Sequence, residues 1–270
     1  MDLKSLQDNW EEFARFDPMW AIITDPRRSR NRWNSDEFFE SGKQEIALVM
    51  DGVRTRGYQF GRQRALDFGC GVGRLTQALC QQFEGCYGVD ISSAMVAHAK
   101  RFNRYGDRCQ YVINQVDNLT QFESDYFDFI YTNIVLQHIE KKYNESYLRE
   151  FIRVLRPNGL LVFQLPSSLK PDYLPPPSRV VSLRRIRRLV QRVLTRAGVG
   201  MDTLYRWGVA DIPAVMEMHC FEKGELETYI TANGGPVREA ERYDSAGPAF
   251  ISYRYYVTKK PLVGATTDPL

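Results

Sequence analysis

Between residues 64 and 165, short apolar runs alternate with longer stretches whose apolar positions recur at helical spacing. Arg64–Gly69 (RALDFG), Tyr87–Asp90, Gln110–Asn114, Phe127–Asn133 and Gly159–Leu165 have the length of strands. The fourth is apolar almost throughout, as a strand buried on both faces should be. Arg74–Gln82, Ser92–Phe102 and Glu145–Leu155 read as the helices between them. Ser92 or Ser93 is placed to cap the second helix, and Arg156-Pro157-Asn158-Gly159 stops the third. This alternation predicts a parallel sheet joined by right-handed crossovers.

The flanks follow other rhythms. Residues 1–57 predict a helical, aromatic-rich N-terminal cap, with Trp10, Phe13, Phe16, Met19, Trp20, Ile22 and Ile23 interrupted by Pro18 and Pro26. After a basic loop at 27–33, Asn34-Ser35-Asp36-Glu37 reads as a helix start with Ser35 as N-cap, the helix running to about Arg56. Beyond Leu165, the proline-rich stretch 166–178 cannot be sheet interior. A basic helix over 179–197, a helix at Glu222–Asn233 and an antiparallel final strand at Phe250–Lys259 complete the pattern. The resulting division is a cap (1–57), a core (58–166), a basic lid insertion (167–212), a segment completing the core sheet (213–260) and a tail (261–270).

Composition changes this picture little. The chain has 270 residues, 43% hydrophobic and 26% charged, with a net charge of +3, too small to argue for nucleic acid. Its five cysteines (Cys70, Cys80, Cys86, Cys109 and Cys220) form no C-x-x-C pair, so neither a disulfide framework nor a metal site is suggested. Reduced thiols, an opening segment without an apolar signal core, and no apolar run of roughly 20 residues suggest a cytoplasmic location.

The chemistry starts at Asp67-Phe68-Gly69-Cys70-Gly71-Val72-Gly73-Arg74, a strand, glycine turn and helix start. Such a turn lets backbone N–H groups approach a ligand without Cβ obstruction. Asp90 ends the next strand, where an acid can accept hydrogen bonds from a ribose hydroxyl pair. Ser92 is the better cap for the helix that follows. Dinucleotides want G-x-G-x-x-G, whereas here Gly73 comes one residue early and Asp67 would repel a pyrophosphate. A ligand carrying an ammonium and a sulfonium suits that carboxylate, which favours S-adenosylmethionine over a nicotinamide cofactor.

LDFGCGVGRLT, GVDIS, FDFIYTNIVLQHI and VLRPNGLLVFQLP, in this order, resemble the consecutive motifs of the class I S-adenosylmethionine-dependent methyltransferases. DPMWAIITDP, a basic loop and EFFESG resemble an N-terminal extension of bacterial small-molecule and glycan methyltransferases. The resemblance implies a Rossmann-like fold: a seven-stranded, mostly parallel sheet flanked by helices, with a helical cap and a lid insertion after strand 5. It implies that Asp67, Gly69, Gly71 and Gly73 contact the methionine part of the cofactor, and that Asp90 holds the ribose with Ile91 on the adenine. Gln115 and Val116 match the adenine-contacting pair, Asp117 being an alternative to Gln115. Asn133 and the Gln137-His138 pair fall at the methyl-transfer end.

Methyl transfer needs a base only where the acceptor must lose a proton. His138 is the first candidate for that role and His219 the second; the bland alternatives are a loop-folding role for His138 and a surface or core role for His219. His98 reads as structural. Asn133-Ile134-Val135 is not the N-P-P-Y motif of amide or adenine amino methylation, and no Pro-Cys pair supports the covalent cysteine route. The expected acceptor is an oxygen or nitrogen of a small or medium-sized molecule, a sugar or a glycolipid precursor.

Residues 179–196 carry seven arginines and no acid, with apolar positions on one helical face. The plain reading is a lid helix with a solvated basic face. The sharper readings are an anionic or lipid-linked acceptor, peripheral contact with an anionic membrane surface, or RNA. The run lacks interleaved aromatics, which disfavours nucleic acid. Trp20, Trp33 and Phe38 or Phe39 are candidates to close over the cofactor, with core packing as the alternative.

Overall fold

The computed structural model describes residues 1–173 and 190–259. The cap comprises α1 (Leu3–Phe16), α2 (Pro18–Ile22) and α3 (Ser35–Thr55). The core follows as β1 (Arg64–Phe68), α4 (Arg74–Leu79), β2 (Gly85–Asp90), α5 (Ser93–Phe102), β3 (Cys109–Ile113), β4 (Phe127–Thr132), α6 (Lys141–Val154) and β5 (Leu155–Leu169). Then come α7, described over residues 190–196, α8 (Met201–Arg206), α9 (Lys223–Ala232), β6 (Val237–Arg242) and β7 (Phe250–Thr258).

The seven strands form one sheet in the order β3-β2-β1-β4-β5-β7-β6. β1 pairs in parallel with both β2 and β4, and the order reverses there. Only β7 runs antiparallel, against β5 on one side and β6 on the other. The period-2 alternation of strand side chains divides the core. Leu66, Phe68, Ile130 and Phe163 pack with α6 and α9 on one face. Ala65, Phe129, Tyr131 and Val162 pack with α3 and α4 on the other. A third cluster joins Phe13, Phe38 and Phe39 of the cap to Val72 of the glycine turn, so the cap is packed onto that turn.

Some expectations change. Asn34, not Ser35, caps α3: its Oδ1 accepts from Asp36 N at 2.9 Å and Glu37 N at 3.1 Å, and Ser35 is the first helical residue. α6 starts at Lys141, earlier than the pattern indicated, and ends just before the Arg156–Gly159 turn. That turn is a bulge inside β5, where pairing to β4 jumps between Phe127 and Phe129. β5 also continues to Leu169, so Pro166–Leu169 do lie in the sheet. The ladder tolerates Pro166 because the register shifts beside it, and its carbonyl accepts from Phe221 N at 2.9 Å. β6 has no clean apolar alternation; pairing to β7 and an Arg56 fork on Glu239 hold it. The predicted basic helix falls mostly outside the described residues, as do 174–178 and the tail. No helix among the described residues is long and apolar enough to cross a membrane.

Candidate active site

The strand-order reversal beside β1 opens a crevice at the carboxyl ends of β1, β2 and β4, where open α/β sheets bind ligands. A cavity of about 470 Å³ occupies it, within the usual range for ligand pockets.

The glycine turn forms its floor. Gly69, Gly71 and Gly73 have φ of 74°, 52° and 85°, a region that L side chains rarely adopt. Space is also short: a Cβ on Gly69 would meet Val135 at 2.4 Å, one on Gly71 would meet Ile22 at 2.4 Å, and one on Gly73 would meet Tyr111 at 2.3 Å. Gly69 and Gly71 line the cavity; Gly73 packs against Tyr111 at the start of α4 and does not. Asp90 and Ile91 also line it. Asp90 Oδ2 accepts from Gly71 N at 2.8 Å and Oδ1 from Ser92 N at 2.9 Å. Burial raises its pKa to about 6 against the pull of those N–H groups.

Asp67 lies beneath the turn, off the cavity lining. It accepts from Thr76 Oγ1 at 2.6 Å, and burial pushes its pKa up to about 7. It therefore braces β1 against α4, and any effect on a ligand passes through the turn. Gln115 and Val116 are exposed and also off the lining. The Val116 carbonyl is taken by Asn114 Nδ2 at 2.8 Å and Tyr147 OH at 2.7 Å, and it is Asn114 and Tyr147 that face the cavity.

At the β4 end, Asn133, Ile134, Gln137 and His138 line the cavity. Ile134 has φ of 60°, strained for a β-branched residue, and is held by its N–H donating to Gln164 Oε1 at 3.1 Å. His138 Nδ1 lies 2.7 Å from the Glu217 carbonyl. A carbonyl only accepts, so Nδ1 carries the proton and Nε2 keeps its lone pair. Gln137 Nε2 stands 3.3 Å from that nitrogen, and Gln164 Nε2 donates to Gln137 Oε1 at 3.3 Å and to Ser252 Oγ at 2.6 Å. Burial lowers the His138 pKa, with the Glu217 bond opposing, so the ring is neutral near neutral pH. His219 is not on the lining: its backbone N donates to the Gln137 carbonyl at 2.7 Å, and its ring lies 3.3 Å from the Glu217 carboxylate. Its neighbours Met216 and Met218 face the cavity instead. His98 sits on α5 with a ring nitrogen 3.2 Å from the Ala14 carbonyl.

The roof comes from the cap, through Leu6, Trp10, Ile22 and Ile23. Trp10 meets His138 edge-on at 5.7 Å. Trp20, Trp33, Phe38 and Phe39 are absent from the lining and belong to the cluster beneath the cap. Sequence reasoning also missed Glu11, whose carboxylate accepts from Ser92 Oγ, Ser93 N, Ser93 Oγ and Ala94 N at 2.7–3.0 Å. It thereby satisfies N–H groups that the start of α5 leaves open. Glu45 and Arg74 were missed as well. Glu45 accepts from Arg74 at 2.6 Å, Asn133 Nδ2 at 2.8 Å and Tyr131 OH at 3.0 Å. Arg74 Nε and Asn133 Oδ1 are buried without partners although both residues line the cavity. Unsatisfied buried polar atoms at one side of a mostly apolar cavity fit a ligand with a flat neutral ring at one end and a charged amino acid at the other, as S-adenosylmethionine has.

The fold is the Rossmann-like fold of the class I S-adenosylmethionine-dependent methyltransferases, and the cavity is one that S-adenosylmethionine fits. Residues 66–163 match the family model described as a methyltransferase domain. The chain is similar to an uncharacterised methyltransferase of Oceanobacillus iheyensis, 22% identical over 56% of this chain and 66% of that protein. It is also similar to a malonyl-[acyl-carrier protein] O-methyltransferase of Priestia megaterium, 32% identical over 36% of this chain and 35% of that one. The chain thus spans about two thirds and about one third of these curated relatives. Among solved structures, magnesium protoporphyrin IX methyltransferase from Synechocystis with bound S-adenosylhomocysteine superposes with a TM-score of 0.58 at 17% identity, covering 96% of this chain and 100% of that one.

Proposed function

We propose that this chain transfers the methyl group to an oxygen or nitrogen of a small or medium-sized acceptor, with His138 accepting the proton released. The observation that carries this reading is the placement of His138 on the cavity wall, with Nδ1 2.7 Å from the Glu217 carbonyl so that Nε2 is the basic nitrogen; burial lowers its pKa. S-adenosylmethionine, when bound, supplies an electrophilic methyl on a sulfonium. Asp90 holds the ribose, with Ile91 on the adenine, and Gly69 and Gly71 of the turn lie along the methionine part. The cap residues Trp10, Ile22 and Ile23 exclude water from the transfer. Alignment of acceptor and methyl contributes roughly 7–11 kcal/mol to lowering the barrier. A carbon–oxygen or carbon–nitrogen bond forms as the carbon–sulfur bond breaks, and His138 Nε2 takes the acceptor's proton as its long hydrogen bond from the Gln137 amide at 3.3 Å gives way.

The roof, the Met216–Met218 segment and residues 245–247 choose the acceptor, because they line the cavity from outside the stretch that matches the methyltransferase domain. A panel of hydroxyl- and amine-bearing small molecules incubated with methyl-labelled S-adenosylmethionine tests the proposal. Label should appear on such an acceptor and fall sharply with His138→Gln. Label confined to RNA or protein fractions would overturn it.

A further inference from the structure

Glu45 lies on α3, outside the stretch that matches the methyltransferase family and off the cavity lining. Yet its carboxylate is where the cap, the start of α4 and the end of β4 meet, through Arg74, Tyr131 and Asn133. Burial works against its charge, but the Arg74 guanidinium and the hydrogen bonds from Asn133 and Tyr131 outweigh it and hold the carboxyl below its ordinary value.

Each contact to a cavity residue uses one polar group and leaves another. Arg74 keeps Nε, a donor on a cation; Asn133 keeps Oδ1, an acceptor. The Asn133 amide must turn its NH₂ to Glu45, which sets the other end of the amide as the acceptor. Asp90 and Asn114 supply the polar groups on the β2–β3 side of the crevice, while Arg74 and Asn133 stand on the α4–β4 side. A ligand with its ribose at Asp90 therefore lays its far end at Arg74 and Asn133. The far end of the cofactor is an α-amino acid, whose carboxylate needs a donor and whose ammonium needs an acceptor.

We infer that Glu45 is a positioning residue: it fixes Arg74 Nε and Asn133 Oδ1 as a paired donor and acceptor for the carboxylate and ammonium of the cofactor. This rests on the cofactor assignment and is independent of the acceptor and of His138.

Calorimetry on the full chain with two ligands tests it. S-adenosylhomocysteine carries the amino-acid end; 5′-methylthioadenosine keeps the adenosine and lacks that end. Glu45→Gln should weaken S-adenosylhomocysteine by about tenfold or more, the scale of one charge-assisted hydrogen bond, and leave 5′-methylthioadenosine within about twofold. Asn133→Ala should split the two ligands in the same direction, and it decides the matter if Glu45→Gln does not fold. Equal weakening of both ligands, or unchanged S-adenosylhomocysteine binding, overturns the inference. A wild-type chain that binds neither ligand overturns the cofactor assignment itself.

Discussion

The carboxylate of Asp90 accepts the N–H of Gly71 at 2.8 Å, so the acid that ends β2 is bonded to the turn that ends β1. The same acid borders the cavity, so the shape of the loop and any ligand held at Asp90 are joined through it. Asp90→Asn removes the charge that favours two donated ribose hydroxyls and weakens the hold on Gly71. It should reduce S-adenosylhomocysteine affinity by about ten- to a hundredfold, measured by calorimetry. An affinity within about twofold of wild type would remove Asp90 from the ribose site.

Asp67 and Asp90 also set a pH dependence. Their pKa values in the folded chain are raised by burial, to about 7 and about 6. A raised folded value favours the folded chain at low pH, and that advantage is lost as pH rises through those values. The ligand-free chain should therefore lose stability between about pH 4 and pH 7 from these two groups. Bound S-adenosylmethionine brings cationic charge and ribose donors that favour the ionised carboxylates. The rise in melting temperature on adding it should be larger near pH 8 than near pH 5. A rise independent of pH would show that neither carboxylate responds to the ligand.

His138 is neutral because burial lowers its pKa, so its capacity to accept a proton should persist below the ordinary imidazole range. With an acceptor in hand, His138→Gln should lower kcat by roughly 10²–10⁴ while S-adenosylhomocysteine affinity changes little. Equal losses in kcat and cofactor affinity would mean that the ring serves only to hold the 217–219 segment.

What the sequence revealed and what it hid divide along contact distance. The glycine turn, Asp90 and the alternating strands were legible because each is a local pattern of a few residues. The cavity roof was less legible: Trp20, Trp33, Phe38 and Phe39 take the core-packing alternative, they are as aromatic as Trp10, and only tertiary packing puts Trp10, Ile22 and Ile23 over the turn. Glu45 and Arg74 are 29 positions apart, and each reads as an ordinary charged helical residue until α3 crosses α4. β6 escaped notice because Val237-Arg238-Glu239-Ala240-Glu241-Arg242 owes its strand to β7, not to its own alternation.

Glu11 links the cap to the start of α5 over more than 80 positions. Removing the bonds that satisfy a helix start typically costs about 0.5–2 kcal/mol, so Glu11→Ala should lower stability by an amount in that range. It should also expose the cap to protease, since α1 is held to α5 through this carboxylate. Urea unfolding and limited proteolysis measure the two effects. An unchanged cleavage rate within residues 1–34 would show that the hydrophobic cluster alone keeps the cap in place.

Gly71 and Ile22 test whether the cap and the cofactor turn are fitted to each other. Gly71→Ala faces two separate costs: φ of 52°, which for alanine amounts to about 1–2 kcal/mol, and a Cβ 2.4 Å from Ile22 Cδ1. Ile22→Ala alone trims the cavity roof and removes buried apolar surface, a loss of about 2–3 kcal/mol or less for a partly buried side chain. In the double variant the clash disappears but the backbone strain stays. The double variant should therefore be more stable than the sum of the single losses predicts, by about 1 kcal/mol or more, as neighbours in contact are expected to be. Urea unfolding of the four chains gives this coupling directly. Strict additivity would mean that the turn shifts to take up a Cβ without touching α2, and that the cap rests over the cofactor loop without gripping it.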